Sequence, residues 1–83
     1  MGIIGIAEIA LGLFLQGEII GKDGKPVSEA RLARGFEQLF NLKFGSIYDK
    51  VSEIFTRKPY NLTKTLDTLR EVISKENRKR NNR

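Results

Sequence analysis

"FNLKFGSIYDKVSEIFTRK", residues 40–58, joins the end of one apolar-periodic segment to the start of another, and its reading decides the fold. Before the turn, Leu32, Phe36, Leu39 and Phe40 recur at i, i+4, i+7 and i+8, the stripe of a helix that buries one face. After it, Ile47, Val51, Ile54 and Phe55 make a second stripe, with Tyr48 alongside. Ser46 is an N-cap residue type, and Asp49 three positions on completes a short Ser-x-x-acid box. Pro59, after Arg57 and Lys58, stops the helix. Two helices over 28–41 and 46–58, linked through "LKFG", fit a helix-turn-helix. The same pattern also suits the corner of a plain helical bundle.

Upstream, Ser28 caps the earlier helix, with Val27 and Leu32 spaced for a hydrophobic staple. "GEIIGKDGKPVSE" is a connector punctuated by Gly17, Gly21, Gly24 and Pro26, across which Ile19-Ile20 and Val27 are placed for a minimal β-bridge. Before it, residues 3–17 confine their non-apolar positions to Gly5, Glu8, Gly12 and Gln16, one narrow stripe on a helix. A helix this apolar is usually central to a bundle, and the second reading is that its surface exceeds what three short helices cover and meets a partner, either a second copy or the remainder of a longer parent protein.

Downstream, Asn61 is the expected cap of a helix over 61–77, with Leu62, Leu66, Leu69 and Ile73 on one face and Glu71 and Lys75 as an i, i+4 pair. Residues 78–83 have no apolar side chain to dock and read as a disordered basic tail on a single domain of residues 1–77. The expected architecture is all-α: four short helices containing a helix-turn-helix, winged-helix-like, with at most a minimal β-bridge. Its core is expected where helices two, three and four meet, built from Phe36, Phe40, Val51, Ile54, Leu66 and Leu69.

A chain of 83 residues buries only roughly 60–65% of its unfolded surface, which leaves no room for a large substrate cavity. It has no Cys and no His, so disulfides, thiolate metal sites and imidazole acid–base pairs are excluded from it. No close carboxylate pair, P-loop or dinucleotide fingerprint is present, and neither an enzyme nor a cofactor is expected. "NLT" at 61–63 matches a glycosylation pattern, but a helix cap explains it better. The opening "MGIIGIAEIALGLFLQG" lacks a basic n-region, carries Glu8 in its middle and is too short to span a bilayer. A cytoplasmic protein without membrane association is the expectation.

Charge is uneven. Residues 1–40 carry four basic against five acidic side chains, whereas residues 41–83 carry eleven against five, so the net +5 belongs to the second half. That suits a polyanion, because neutralising phosphates releases condensed counterions. If the third helix lies in a major groove, its N-terminal turn at Ser46 meets base edges, while Lys50, Arg57 and Lys58 contact phosphate or guanine. Lys64, Arg78, Lys79 and Arg80 suit non-specific phosphate contact. Asp49 and Glu53 on the same helix oppose it.

The ordered set "FEQLFNLKFGSIYDKVSEIFTRK" and "NLTKTLDTLREVI" resembles the C-terminal domain of the RteC family of Bacteroidetes. Phe36, Leu39, Phe40, Asn41, Leu42, Gly45, Tyr48, Glu53, Ile54, Arg57, Lys58, Thr63, Leu66, Asp67 and Leu69 carry the likeness, and "LGLFLQGEI" resembles the preceding helix and turn. The resemblance implies a helix-turn-helix domain of a transcription regulator associated with conjugative transposons, with duplex DNA as partner. It also implies that Arg57, Lys58 and Thr63 match the family's basic segment between helices three and four. Asp49, Phe55 and Leu62 stand where the family tends to be basic. The alternative is a helical interaction or dimerisation domain that has kept the fold and lost the DNA contacts.

Overall fold

The computed structural model describes residues 2–82, arranged as four α-helices with no sheet among them. They are α1 (Ile3–Gln16), α2 (Glu29–Phe40), α3 (Ile47–Phe55) and α4 (Lys64–Asn81), with one 3₁₀ turn at Pro59–Asn61 before α4. No helix is long and apolar enough to cross a membrane among the described residues.

Local chemistry accounts for most boundaries. The Ser28 hydroxyl accepts from the Arg31 N–H at 3.2 Å and starts α2, and the Ser46 hydroxyl accepts from the Asp49 N–H at 3.3 Å and starts α3. Asn41 closes α2 in the left-handed region at φ 52°, and its neighbour Leu42 donates to the Glu37 carbonyl at 3.0 Å. The connector before α2 is pinned by an antiparallel bridge between Ile20 and Pro26, with the Val27 N–H on the Ile19 carbonyl at 2.9 Å.

Two expected boundaries are corrected. Helix α3 stops at Phe55 rather than Lys58, because Lys58 precedes Pro59 and is forced into extended backbone at φ −64° and ψ 150°. Asn61 does not cap α4, since the 3₁₀ turn absorbs it and the helix begins three residues later at Lys64.

The basic tail is corrected as well. Helix α4 continues through Asn81, carried by an Arg80–Glu76 pair at 2.9 Å, an Asn81–Asn77 amide contact at 3.2 Å and cations at its negative dipole end. Good helix formers extend a nucleated helix without tertiary contacts. Arg83 lies outside the described residues. The expected Glu71–Lys75 pair is replaced by Glu71–Arg78 at 3.4 Å.

The core is centred on α1, which packs against each of the other three helices. Its buried side chains are Ile6, Ala7, Ala10, Leu11, Ala33, Phe44, Ile47 and Ile54, with Phe36, Val51 and Leu62 packed against them. Phe44, a turn residue by sequence, is a core residue by structure. Phe40 and Leu39 are the reverse: Phe40 is 48% exposed and stacks on Phe36 at 5.9 Å, and Leu39 is 74% exposed. The expected junction of α2, α3 and α4 is therefore corrected to three helices arranged around α1, which cover much of its apolar surface but leave Ile3 and Leu15 exposed. Leu66 and Leu69 face α1, where a Cβ on Gly12 would lie 3.7 Å from Leu66 Cδ1.

Candidate nucleic-acid interface

Because α4 is seated on α1, the outward side of α3 stays open. Tyr48, Asp49, Ser52, Glu53, Phe55 and Thr56 are exposed along it. Lys50 is partly covered, and its Nζ lies 3.9 Å from Glu53, close enough to soften but not to cancel its charge. Ser46 opens this helix half-buried, with its hydroxyl engaged in the cap. Lys58 is exposed at the corner beyond α3, and Lys64 is exposed at the first position of α4.

Arg57 is not an exposed member of α3. It follows the helix, turns inward and forms an ion pair with Glu8 of α1, while also donating to the Leu62 carbonyl at 3.1 Å. The Glu8 side chain is only 3% exposed and that of Arg57 15%, so the pair is an internal link. Glu8 has two further partners: the Thr65 N–H reaches one carboxylate oxygen at 3.1 Å, and the Leu66 N–H reaches the other at 2.7 Å. These are orphan donors of the first turn of α4, and Thr63, at the cap position, makes no capping bond because its hydroxyl donates to Asp67 at 3.0 Å. A carboxylate 57 residues upstream thus caps α4 in place of a local side chain.

Burial pushes the Glu8 carboxyl up. The Leu66 N–H, the Arg57 hydrogen bond and charge and the Thr65 N–H pull it down, and the net result is a carboxyl held below its ordinary value. Glu8 stays ionised at neutral pH. Sequence reasoning placed it on a polar stripe without assigning a role, although a lone acid amid apolar neighbours on a helix is a signal for a buried, paired carboxylate.

The basic candidates fall into separate groups. Arg57 and Lys64 line one cleft of about 400 Å³ with Ile4, Thr65, Thr68 and Leu69. Arg78, Lys79 and Arg80 lie near the other end of α4, roughly 22 Å from Lys64 at 1.5 Å rise per residue. Arg78 and Arg80 each meet a glutamate on their own helix, and all three are exposed. The described residues contain no group of three or more His, Cys, Asp or Glu suited to a metal ion. The available chemistry is hydrogen bonding and charge, presented on an open helix and a cationic corner. When the chain is compared with family models, curated proteins and solved structures, none of the three comparisons gives a match.

Proposed function

We propose that the chain is a DNA-binding helix-turn-helix domain of a transcription regulator associated with a mobile genetic element, in the manner of the RteC family it resembles, acting on duplex DNA in the cytoplasm. The observation that carries this reading is the open outward side of α3, with Lys50 partly covered at its edge and Lys58 exposed at the corner beyond it. The positive balance of residues 41–83 supplies attraction to phosphates. In this reading Ser46 sets the start of the reading helix, and Lys50, Lys58 and Lys64 contact the backbone. Arg78, Lys79 and Arg80 add contacts that carry no sequence information. Arg57 serves the interface by fixing the corner, not by touching DNA.

Titration with random and genomic duplexes at two salt concentrations tests the proposal. Log affinity is expected to fall by roughly 0.9 per phosphate neutralised for each decade of salt. Lys50→Ala should weaken binding and Asp49→Arg should strengthen it. Deleting residues 78–83 should weaken all sequences alike and reduce the salt slope. No duplex binding at low salt would overturn the reading.

The second reading, an interaction domain without DNA contacts, is favoured by one specific observation. The open side of α3 carries Asp49 and Glu53, while the nearby Arg57 is spent on Glu8.

A further inference from the structure

Helix α4 runs antiparallel to α1 and outlasts it. Its first turn is held by Glu8, Leu66 meets α1 at Gly12, and Thr68 and Leu69 share a cleft with Gly2, Ile4 and Gly5, so successive turns of α4 pass back towards the start of α1 at Ile3. Beyond Leu69 the partner helix ends while α4 continues to Asn81. Val72 and Ile73 are consequently 53% and 70% exposed on the overhanging part. At the root of the same helix lies a groove of about 210 Å³ whose lining is almost wholly apolar, formed by Leu15, Ile54, Phe55, Leu62 and Leu66 among others. Leu15 and Phe55 are 65% and 59% exposed there.

We propose that this groove receives the overhanging Val72 and Ile73 of a second copy of the chain, reciprocally, in a two-fold antiparallel pairing of α4 with α4. Ile73 lies seven positions beyond Leu66, about 10 Å along the helix, so setting Ile73 of one copy opposite Leu66 of the other satisfies both grooves with one axis, near Leu69 and Arg70. The same register brings Arg70 of each copy within about 3 Å, measured along the helices, of Asp67 of the other. Neither residue belongs to an ion pair within the chain among the described residues, and their charges are opposite. Charge complementarity between Asp67 and Arg70, together with an apolar groove and an apolar overhang on the same helix, identifies the occupant as the chain itself. The pairing holds whether or not the domain binds DNA. If it does, the two-fold gives two copies of α3, as dimeric helix-turn-helix proteins use for paired half-sites.

Sedimentation equilibrium on the full chain across a wide concentration range tests the pairing. The mass is expected to rise from one chain towards two. Leu15→Glu and Ile73→Lys alter exposed positions, so each alone should keep the parent's helicity and stay monomeric. Mixed together they should pair again, because one contact becomes Glu against Lys and the other remains native. The chain has no cysteine, so mixing Leu15→Cys with Ile73→Cys chains under oxidation reads the same contact with milder changes and should yield a disulfide-linked heterodimer. A parent that stays monomeric at its highest concentration overturns the proposal. So do single variants that dimerise like the parent, and mixtures that form neither the restored dimer nor the cross-link.

Discussion

The two ends of α4 are held in place by different means. At its root, two backbone N–H groups reach the buried Glu8 carboxylate, Arg57 neutralises that carboxylate, and Leu62 and Leu66 rest on α1. At its far end no side chain is buried, and the helix persists on i, i+4 pairs, favourable propensity and cations at its negative pole. A helix without a single fully buried residue can thus be placed by one charged link, whereas its continuation is held only by itself. The root depends on distant residues and the arm on local ones.

The strongest way to break this contrast is Glu8→Ala, which leaves Arg57 buried without its counter-charge and the first turn of α4 uncapped. A cost of about 3–5 kcal/mol is expected in urea unfolding, large against the total stability of so small a domain. Arg57→Ala should do comparable damage, and the double variant should cost less than the sum of the two. Additive losses would show that the residues act separately and that the link is misread.

Acid should act on the same link more gently. Because the folded carboxyl titrates below its ordinary value of 4.5, ionised Glu8 contributes its full stabilisation above that value, and the contribution is lost as pH falls through the depressed folded value. Stability measured from pH 7 downwards should therefore hold to about 4.5 as far as this group is concerned, and then decline. Glu8→Gln should lack that component, so its deficit relative to the parent should shrink in acid. A deficit that stays constant from neutral to acidic pH would rule out ionised Glu8 as the clamp.

The smallest expected effect concerns a residue that periodicity assigned to the core. Phe40→Ala removes a half-exposed ring stacked on Phe36 and should cost about 1 kcal/mol, against the 2–5 kcal/mol of a truncation in a true core position. Thermal denaturation of the variant measures the difference. A loss in the larger range would return Phe40 to the core and weaken the account of α1 as the centre.

Helix existence, the Ser28 and Ser46 caps and the bridge across the connector were legible in the sequence, because each depends on residues within a few positions of one another. The eight candidate basic and polar residues were legible only as residue types. Structure divided them into Lys50 on α3 and Lys58 at the corner beyond it, Lys64 in a cleft against α1, three more on the arm, Ser46 in a cap and Arg57 in the interior. Periodicity identifies which positions share a face, but not which face finds a partner. Leu39 and Phe40 share their face with Phe36 and still lie in solvent, and Phe44 lies in the core from a turn.

Sequence by itself determined an all-α chain with a positive second half, since propensity, capping and formal charge are properties of short segments. The apolar surface of α1 already pointed to a central place in a bundle, but tertiary structure alone decided that Gly5, Glu8 and Gly12 form a seat for α4 rather than a solvent-facing stripe. The physical reason is distance along the chain. The partners of Glu8 are 49 to 58 residues away, and no local pattern specifies which orphan N–H groups a buried carboxylate will meet.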